Sequence, residues 1–171
     1  HRFHQTLLGV PSELKGSHRQ IANLAALELR YGDATRGVRR LYRLFRIHMD
    51  ELEAASAYFV SIINARDTLP DMDESVDTVA PGTTVELQEE HGGSLIVSID
   101  PNGTAPLPAR TGFFSADAEN IVPLLGLRVG ASMDLPSPLN MQRKYTVRSI
   151  TSVHRQLLKV AQQQIEASMS A

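Results

Sequence analysis

The feature that most constrains this chain is the dipeptide Gly32-Asp33, which separates two stretches of helical periodicity. The first runs over residues 17–31 and the second over residues 35–66, and apolar residues recur in both at steps of three and four. Glycine often occupies the left-handed position that ends a helix, and Asp33 or Thr35 can cap the start of the next one. Because the connection is short, the sequence predicts an antiparallel helical hairpin with its tip near residues 30–36.

Each predicted helix has an apolar stripe that needs a partner, because an isolated helix is marginally stable in water. We expect the two stripes to pack against each other as a coiled coil, which would form a long two-helix rod. Arginines lie on the opposite face of the second helix with no acid near them in the sequence, which favours an anionic partner. The first stripe is Ile21, Leu24, Leu27 and Tyr31; the second is Val38, Leu41, Phe45, Met49, Leu52, Ala55, Phe59 and Ile62; the arginines are Arg36, Arg39, Arg40, Arg43 and Arg46.

Composition excludes several classes of site. A net charge of -2 gives the chain no overall attraction for nucleic acid or membranes. The lack of cysteine excludes disulfides and thiolate metal sites. We find no apolar run of membrane-spanning length and no signal peptide, and we expect a cytoplasmic protein. His48, His91 and His154 show no metal-ligand spacing along the chain and have no accompanying cysteine.

The second half of the chain has a different period. From residue 79 the apolar residues alternate, as in β-strands, and one short helix follows Asp117. This order predicts an α+β fold in which an antiparallel half-barrel wraps one short helix. An amphipathic pattern over 152–168 predicts an extra C-terminal helix. The expected organisation is a helical hairpin over 1–66, an acidic linker over 67–78, a sheet domain over 79–150 and a helical tail over 151–171.

Two motifs carry a resemblance to a known family. The run from Leu124 to Gly130 (Leu-Leu-Gly-Leu-Arg-Val-Gly), followed by the strand pattern over 144–150, resembles the C-terminal FKBP-like domain of bacterial Gre transcript-cleavage factors and of the regulator Rnk. Gre factors also carry an N-terminal coiled coil with a Gly-Asp dipeptide at its tip, the place that Gly32-Asp33 would occupy. The resemblance covers roughly residues 17–150 in order and spacing.

The resemblance implies a transcription elongation factor that acts through RNA polymerase and is not itself an enzyme. The sheet domain would dock at the rim of the secondary channel through Leu125, Arg128 and Val129, and the hairpin would project toward the catalytic centre. The resemblance further implies no intrinsic cofactor, and we expect a monomer.

The tip departs from the pattern of the cleavage factors, whose acidic side chains help to hold a second magnesium ion in the polymerase. Asp33 is present, but Arg36 occupies the position of the second acid, and a guanidinium cannot ligate a cation. Magnesium held through Asp33 alone is therefore doubtful, and we expect a regulator that modulates or inhibits. Contact with the active centre, the RNA 3′ end or a nucleotide phosphate would involve Gly32, Asp33, Thr35, Arg36, Arg39, Arg40 and Arg43.

Other interpretations remain open from the sequence. One alternative is an FKBP-like interaction module or a peptidyl-prolyl isomerase. Another is a conventional cleavage-stimulating factor that uses Asp33. Direct nucleic-acid binding through the arginines is a further alternative. The simplest interpretation of Asp33 is a helix N-cap, and that of the arginines is a solvated helix face.

Overall fold

The computed structural model describes residues 2–11, 15–69, 72–103, 105–136 and 141–171, with the backbone alone for residues 2–4. The chain divides into two compact units. The helical unit comprises His1–Asp71 with Leu157–Ala171, and the sheet unit comprises Met72–Gln156. Helices in the first half, a curled five-stranded sheet and a C-terminal helix confirm the α+β fold class.

Five α-helices and two short 3-10 turns account for the helical segments among the described residues. The last helix, Val153–Met169, confirms the C-terminal helix that the amphipathic pattern over 152–168 predicts. From Leu157 onward this helix belongs to the helical unit, where the Gln164 side chain donates a hydrogen bond to the Asp50 carbonyl at 2.9 Å. The elements are α1 (Arg2–Leu8), α2 (His18–Tyr31), α3 (Ala34–Ile47), α4 (Leu52–Asn64), the 3-10 turn Arg66–Thr68, and α5 (Val153–Met169).

Local sequence signals fix both ends of α2. Ser17 and Gln20 form a capping box, in which each side chain accepts a hydrogen bond from the other residue's backbone N–H. Gly32 ends the helix, and its N–H donates to the Glu28 carbonyl at 3.0 Å. The expected left-handed conformation at Gly32 is wrong, since its φ is -130°. Glycine fits there for a steric reason: a Cβ atom would lie 3.1 Å from Leu7 Cδ1.

The single helix predicted over residues 35–66 is wrong. The structure interrupts it after Ile47, and α4 begins only at Leu52. The His48 N–H donates to the carbonyls of Leu44 and Phe45, which closes the last turn of α3. Helices α2, α3 and α4 each contact the other two, so the predicted long two-helix rod is replaced by a three-helix bundle.

The packing of the bundle explains which stripe residues are buried. In the second stripe Leu41, Phe45, Met49, Ala55 and Ile62 are buried as predicted, whereas Leu52 is 44% exposed. The Phe45 and Tyr58 rings stack with centroids 5.4 Å apart, which joins α3 to α4. Both ends of the break therefore share one apolar core.

The inner face of α2 differs from the predicted stripe. Leu27 and Tyr31 are 40% and 50% exposed, while Ala22, Ala25 and Glu28 are buried. Small residues line this face because α2 and α3 approach closely at Gly37, where a Cβ atom would lie 2.7 Å from the Ala25 carbonyl oxygen. Larger side chains would hold the two helices apart.

The sheet unit contains five strands in the order β3-β2-β1-β5-β4. All neighbouring pairs are antiparallel except β2 and β3, which pair in parallel. The short helical segment expected after Asp117 is a 3-10 turn, Val122–Leu124. The strands are β1 (Thr83–Glu89), β2 (Ser94–Ile99), β3 (Phe113–Phe114), β4 (Ser132–Pro136) and β5 (Gln142–Ser152).

One face of the sheet carries the apolar core of this unit. In the centre, Val85 of β1 pairs with Val97 of β2 on one side and with Ile150 of β5 on the other. The pairing of β1 with β5 shifts register between Glu86 and Leu87, which marks a β-bulge. The buried core residues are Val79, Val85, Leu87, Val97, Ile99, Ile121, Leu124, Val147 and Ile150.

Candidate functional site

The tip of the hairpin is built around the side chain of Asp33. This residue precedes α3, and its Oδ1 accepts hydrogen bonds from the N–H groups of Thr35 at 2.9 Å and Arg36 at 3.4 Å. Two of the donors that a helix start leaves unsatisfied are thereby bonded. The interpretation of Asp33 as an N-cap is confirmed, and the residue is exposed at the turn.

Arg36 points into the helical unit. Its Nη1 donates to the Leu8 carbonyl at 2.9 Å, and its Nη2 donates to the Val10 carbonyl. Its Nε lies 3.7 Å from Oε1 of Glu28. The guanidinium therefore ties the segment after α1 to α2, so its donors serve the fold of this unit.

Arg40 is buried together with the same carboxylate. Its Nε donates to Oε2 of Glu28 at 2.7 Å, and the two side chains are 5% and 1% exposed. Arg46 is also buried, at 3% exposure. No acid lies near these arginines in the sequence, but the fold places Glu28 between Arg36 and Arg40 and supplies an anionic partner within the chain.

The pairing of Arg40 with Glu28 could have been expected from the sequence. In an antiparallel hairpin, positions equally distant from the turn lie opposite each other. Reflection about Gly32-Asp33 places Glu28 opposite Gly37, the neighbour of Arg36 in the sequence.

The structure thus divides the predicted tip residues into two groups. Gly32, Asp33 and Thr35 form the turn and its cap, and Arg39 is exposed on α3. Arg43 is half-buried, while Arg36 and Arg40 are engaged inside the unit. Contact of any of these residues with a polymerase stays a prediction.

The predicted docking residues lie in a loop between the 3-10 turn Val122–Leu124 and β4. Leu125 is half-buried, whereas Arg128 and Val129 are exposed. The loop is held on one side by hydrogen bonds between Val79 and the backbone of Gly126 and Leu127, each at 2.8 Å. It therefore presents Arg128 and Val129 on a well-supported surface of the sheet unit.

A group of possible metal ligands was missed by the sequence analysis. The histidine–glutamate cluster consists of His18, His48 and Glu51, whose ligand atoms all lie within 4.8 Å of one another. His18 begins α2, His48 ends α3 and Glu51 precedes α4. His48 and Glu51 lie three residues apart in the sequence. His18 is thirty positions before His48, and its approach to them depends on the packing of the helices and on the unpredicted break.

Burial changes the proton affinity of two groups outside the tip. Desolvation raises the pKa of Tyr58, in α4, well above its usual value. Desolvation lowers the pKa of His154, at the start of α5, from 6.5 to about 4. The His154 imidazole is therefore neutral at physiological pH.

No helix in the described parts of the chain combines the length and apolar character needed to cross a membrane.

Comparisons with known proteins find similarity to solved structures but to no family model or curated protein. No model of a protein family matches the chain, and no curated protein matches it. A GreA/GreB transcription elongation factor from Nitrosomonas europaea is 17% identical with a TM-score of 0.39, over 50% of this chain and 65% of that one. The chain thus spans less than two thirds of that structure.

Two further structures are GreA factor homologues, named Gfh1. The protein from Thermus thermophilus is 19% identical with a TM-score of 0.37, over 88% of this chain and 93% of that one. The protein from Thermus aquaticus is 18% identical with a TM-score of 0.38, over 88% and 92%. The solved structures that this chain resembles thus include Gre-type factors, as the sequence predicts, but a likeness at these TM-scores assigns no activity.

Proposed function

We propose that this chain is a Gre-like regulator of transcription elongation that binds RNA polymerase and places its hairpin tip in the secondary channel. It modulates or inhibits the polymerase instead of stimulating RNA cleavage, and it is not itself an enzyme. The observation that carries this proposal is the turn at Gly32-Asp33, which joins α2 to α3 and exposes a carboxylate. The sheet unit follows this hairpin along the chain, in the order that the sequence resemblance requires.

The chemistry of the tip favours modulation over cleavage. Magnesium prefers several hard oxygen ligands, and residues 30–36 contain a single acid, Asp33. One oxygen of that carboxylate already accepts hydrogen bonds from the start of α3. Arg36, at the position of a second acid, offers no oxygen ligand, and its guanidinium is turned toward the Leu8 carbonyl and Glu28.

The reach of the proposed hairpin follows from the length of its helices. Helices α2 and α3 have 14 residues each, which corresponds to a length of about 21 Å. The second helix predicted over residues 35–66 would by itself have extended roughly 48 Å. The proposal rests on the tip and on the order of the units along the chain, and it does not require a long protruding rod.

The decisive experiment combines binding and cleavage measurements on purified RNA polymerase. Fluorescence anisotropy of the labelled chain measures binding to the core enzyme, and stalled, backtracked complexes measure RNA cleavage and elongation. We expect binding, slower elongation and no cleavage above the intrinsic rate of the polymerase. Failure to bind the polymerase would refute the proposal.

Asp33→Asn is the matched variant for the cleavage assay, because asparagine caps a helix about as well as aspartate but carries no charge. We expect the variant and the parent chain to give the same low cleavage. Strong cleavage by the parent that is lost in Asp33→Asn would establish a conventional cleavage factor instead.

Arg39 tests whether the cationic side of the tip contacts phosphate. This residue is exposed, so Arg39→Glu changes the charge without disturbing a buried pair. If Arg39 contacts RNA or nucleotide phosphates, reversal of its charge should weaken the effect on elongation about tenfold or more. Arg19→Glu, exposed at the opposite end of α2, is the control and should keep the parent's effect.

A further inference from the structure

We propose that His18, His48 and Glu51 form a binding site for a divalent transition-metal ion, with Zn²⁺ as the best match. The site lies within the helical unit and is independent of any contact with polymerase. Its three side chains come from three helix ends: the first residue of α2, the residue after α3 and the residue before α4.

The distances between the ligand atoms suit a tetrahedral ion. His18 Nδ1 lies 3.4 Å from Oε2 of Glu51, and His48 Nδ1 lies 2.8 Å from Oε1 of the same carboxylate. Zinc binds imidazole nitrogen and carboxylate oxygen at about 2.0–2.2 Å, which places tetrahedral ligands about 3.4 Å apart. The pair formed by His18 and Glu51 already has this separation. The three ligand atoms lie within 4.8 Å of one another, so they need to draw closer together around a shared ion.

The types of ligand select the class of metal. Two imidazoles and one carboxylate leave a fourth tetrahedral position for water, an arrangement that zinc adopts in proteins. Imidazole nitrogen suits zinc, copper, nickel and iron, whereas magnesium and calcium prefer oxygen ligands. We therefore expect Zn²⁺ to bind and Mg²⁺ not to bind.

The orientation of Glu51 supports a ligand role. Glu51 occupies the N-cap position of α4, yet within the described structure its side chain accepts no capping hydrogen bond from that helix. Its two oxygens face one imidazole each, and the two rings lie with their centroids 4.2 Å apart. One carboxylate thus contacts both imidazoles, so all three side chains face a common point.

The cluster is accessible to an ion from solvent. The side chains of His18, His48 and Glu51 are 16%, 34% and 52% exposed. Partial burial of the imidazoles orients them, while the exposed carboxylate leaves a path for entry. A bound ion would fix the break between α3 and α4 against the start of α2.

Isothermal titration of the full chain with zinc chloride, after removal of metals with a chelator, tests the proposal. We expect one zinc per chain, and an increase in the melting temperature of about 5–10 °C at zinc concentrations 100-fold above the dissociation constant. Cobalt(II) should give the visible absorption of a tetrahedral complex. Absence of a one-to-one zinc complex would overturn the proposal.

Single substitutions locate the site. His18→Gln, His48→Gln and Glu51→Gln should each weaken zinc binding about 100-fold or more, because even residues that only support a ligand contribute 10–100-fold. Glu51→Gln is the most informative variant, since no side-chain cap is lost with it.

His91→Gln, at an exposed turn of the sheet unit, is the matched control and should bind zinc like the parent chain. Circular dichroism verifies that each variant is folded. Unchanged zinc affinity in all three folded cluster variants would overturn the assignment, as would an equal loss in His91→Gln.

Discussion

The carboxylate of Glu28 is 1% exposed and lies between the guanidinium groups of Arg36 and Arg40. A buried ion pair contributes little net stability, but removal of one partner leaves the other charge buried and uncompensated. The effect of a substitution here therefore depends on whether the partner is replaced as well.

We expect Glu28→Leu to lower the free energy of unfolding by about 3–5 kcal/mol, because Arg40 would remain buried without its carboxylate. The double variant Glu28→Leu/Arg40→Leu should be markedly more stable than Glu28→Leu, since it removes both charges. Urea denaturation of the two variants and of Arg40→Leu gives the coupling. Simple additivity of the two single effects would show that the pair is not coupled.

Asp33 offers a second test at the residue scale. Asp33→Ala removes the cap of α3 and should cost about 1 kcal/mol of stability, whereas Asp33→Asn should cost only a few tenths. Thermal and urea unfolding of both variants measure the difference. Equal losses would mean that charge at the helix start, and not hydrogen bonding, is the important contribution.

Local interactions explain which site residues could be predicted. The role of Asp33 as a cap depends on backbone groups two and three residues away, so the sequence was sufficient. The partner of Arg40 is twelve positions away, and the Leu8 carbonyl that Arg36 binds is twenty-eight positions away. Such partners depend on how the helices pack, which periodicity alone does not specify.

At the scale of the elements, Gly37 sets the distance between α2 and α3. A methyl group there would lie 2.7 Å from the Ala25 carbonyl oxygen and 2.8 Å from Leu29 Cγ. Alanine favours the helix by about 1 kcal/mol over glycine, but displacement of a backbone atom in the neighbouring helix should cost more.

We predict that Gly37→Ala destabilises the chain by about 1–3 kcal/mol in urea denaturation. Asn23→Ala, at an exposed position of α2, is the control and should stabilise by about 0.5 kcal/mol through helix propensity alone. A gain in stability for Gly37→Ala would show that the helices can separate without cost.

The break between α3 and α4 could not be predicted from local signals. Residues 47–52 contain neither proline nor glycine, and the apolar stripe continues through them with the same period. The break depends on tertiary packing: α4 contacts both α2 and α3, and the Phe45 and Tyr58 rings stack. The strands of the sheet unit were easier to predict because their period of two is local.

At the scale of the whole chain, the lowered pKa of buried His154 should make the stability depend on pH. Burial lowers the pKa of this imidazole to about 4 in the folded state, below the unfolded value of 6.5. The unfolded chain therefore binds a proton between these values that the folded chain does not. Its contribution to stability should fall as the pH decreases from 6.5 to about 4, by at most about 3 kcal/mol.

Urea denaturation at a series of pH values checks this expectation. His154→Gln should flatten the part of the profile between pH 6.5 and about 4, while His91→Gln, an exposed histidine, should not. An identical slope for His154→Gln and the parent chain would assign the pH dependence to other groups.

The fold class of the whole chain followed from the change of period near residue 79, because a helix and a strand bury different sets of positions. The shape of the helical half did not follow, since one long helix and two shorter ones share the same stripe. Packing among helices, and not their individual patterns, decided between a rod and a bundle.

The ion pair at the centre of the helical unit limits how this protein can diverge. The buried charge at position 28 pairs most closely with the one at position 40, and loss of either alone leaves the other buried without this partner. In an alignment of related chains, these two columns should therefore covary, with acid and arginine retained together or lost together.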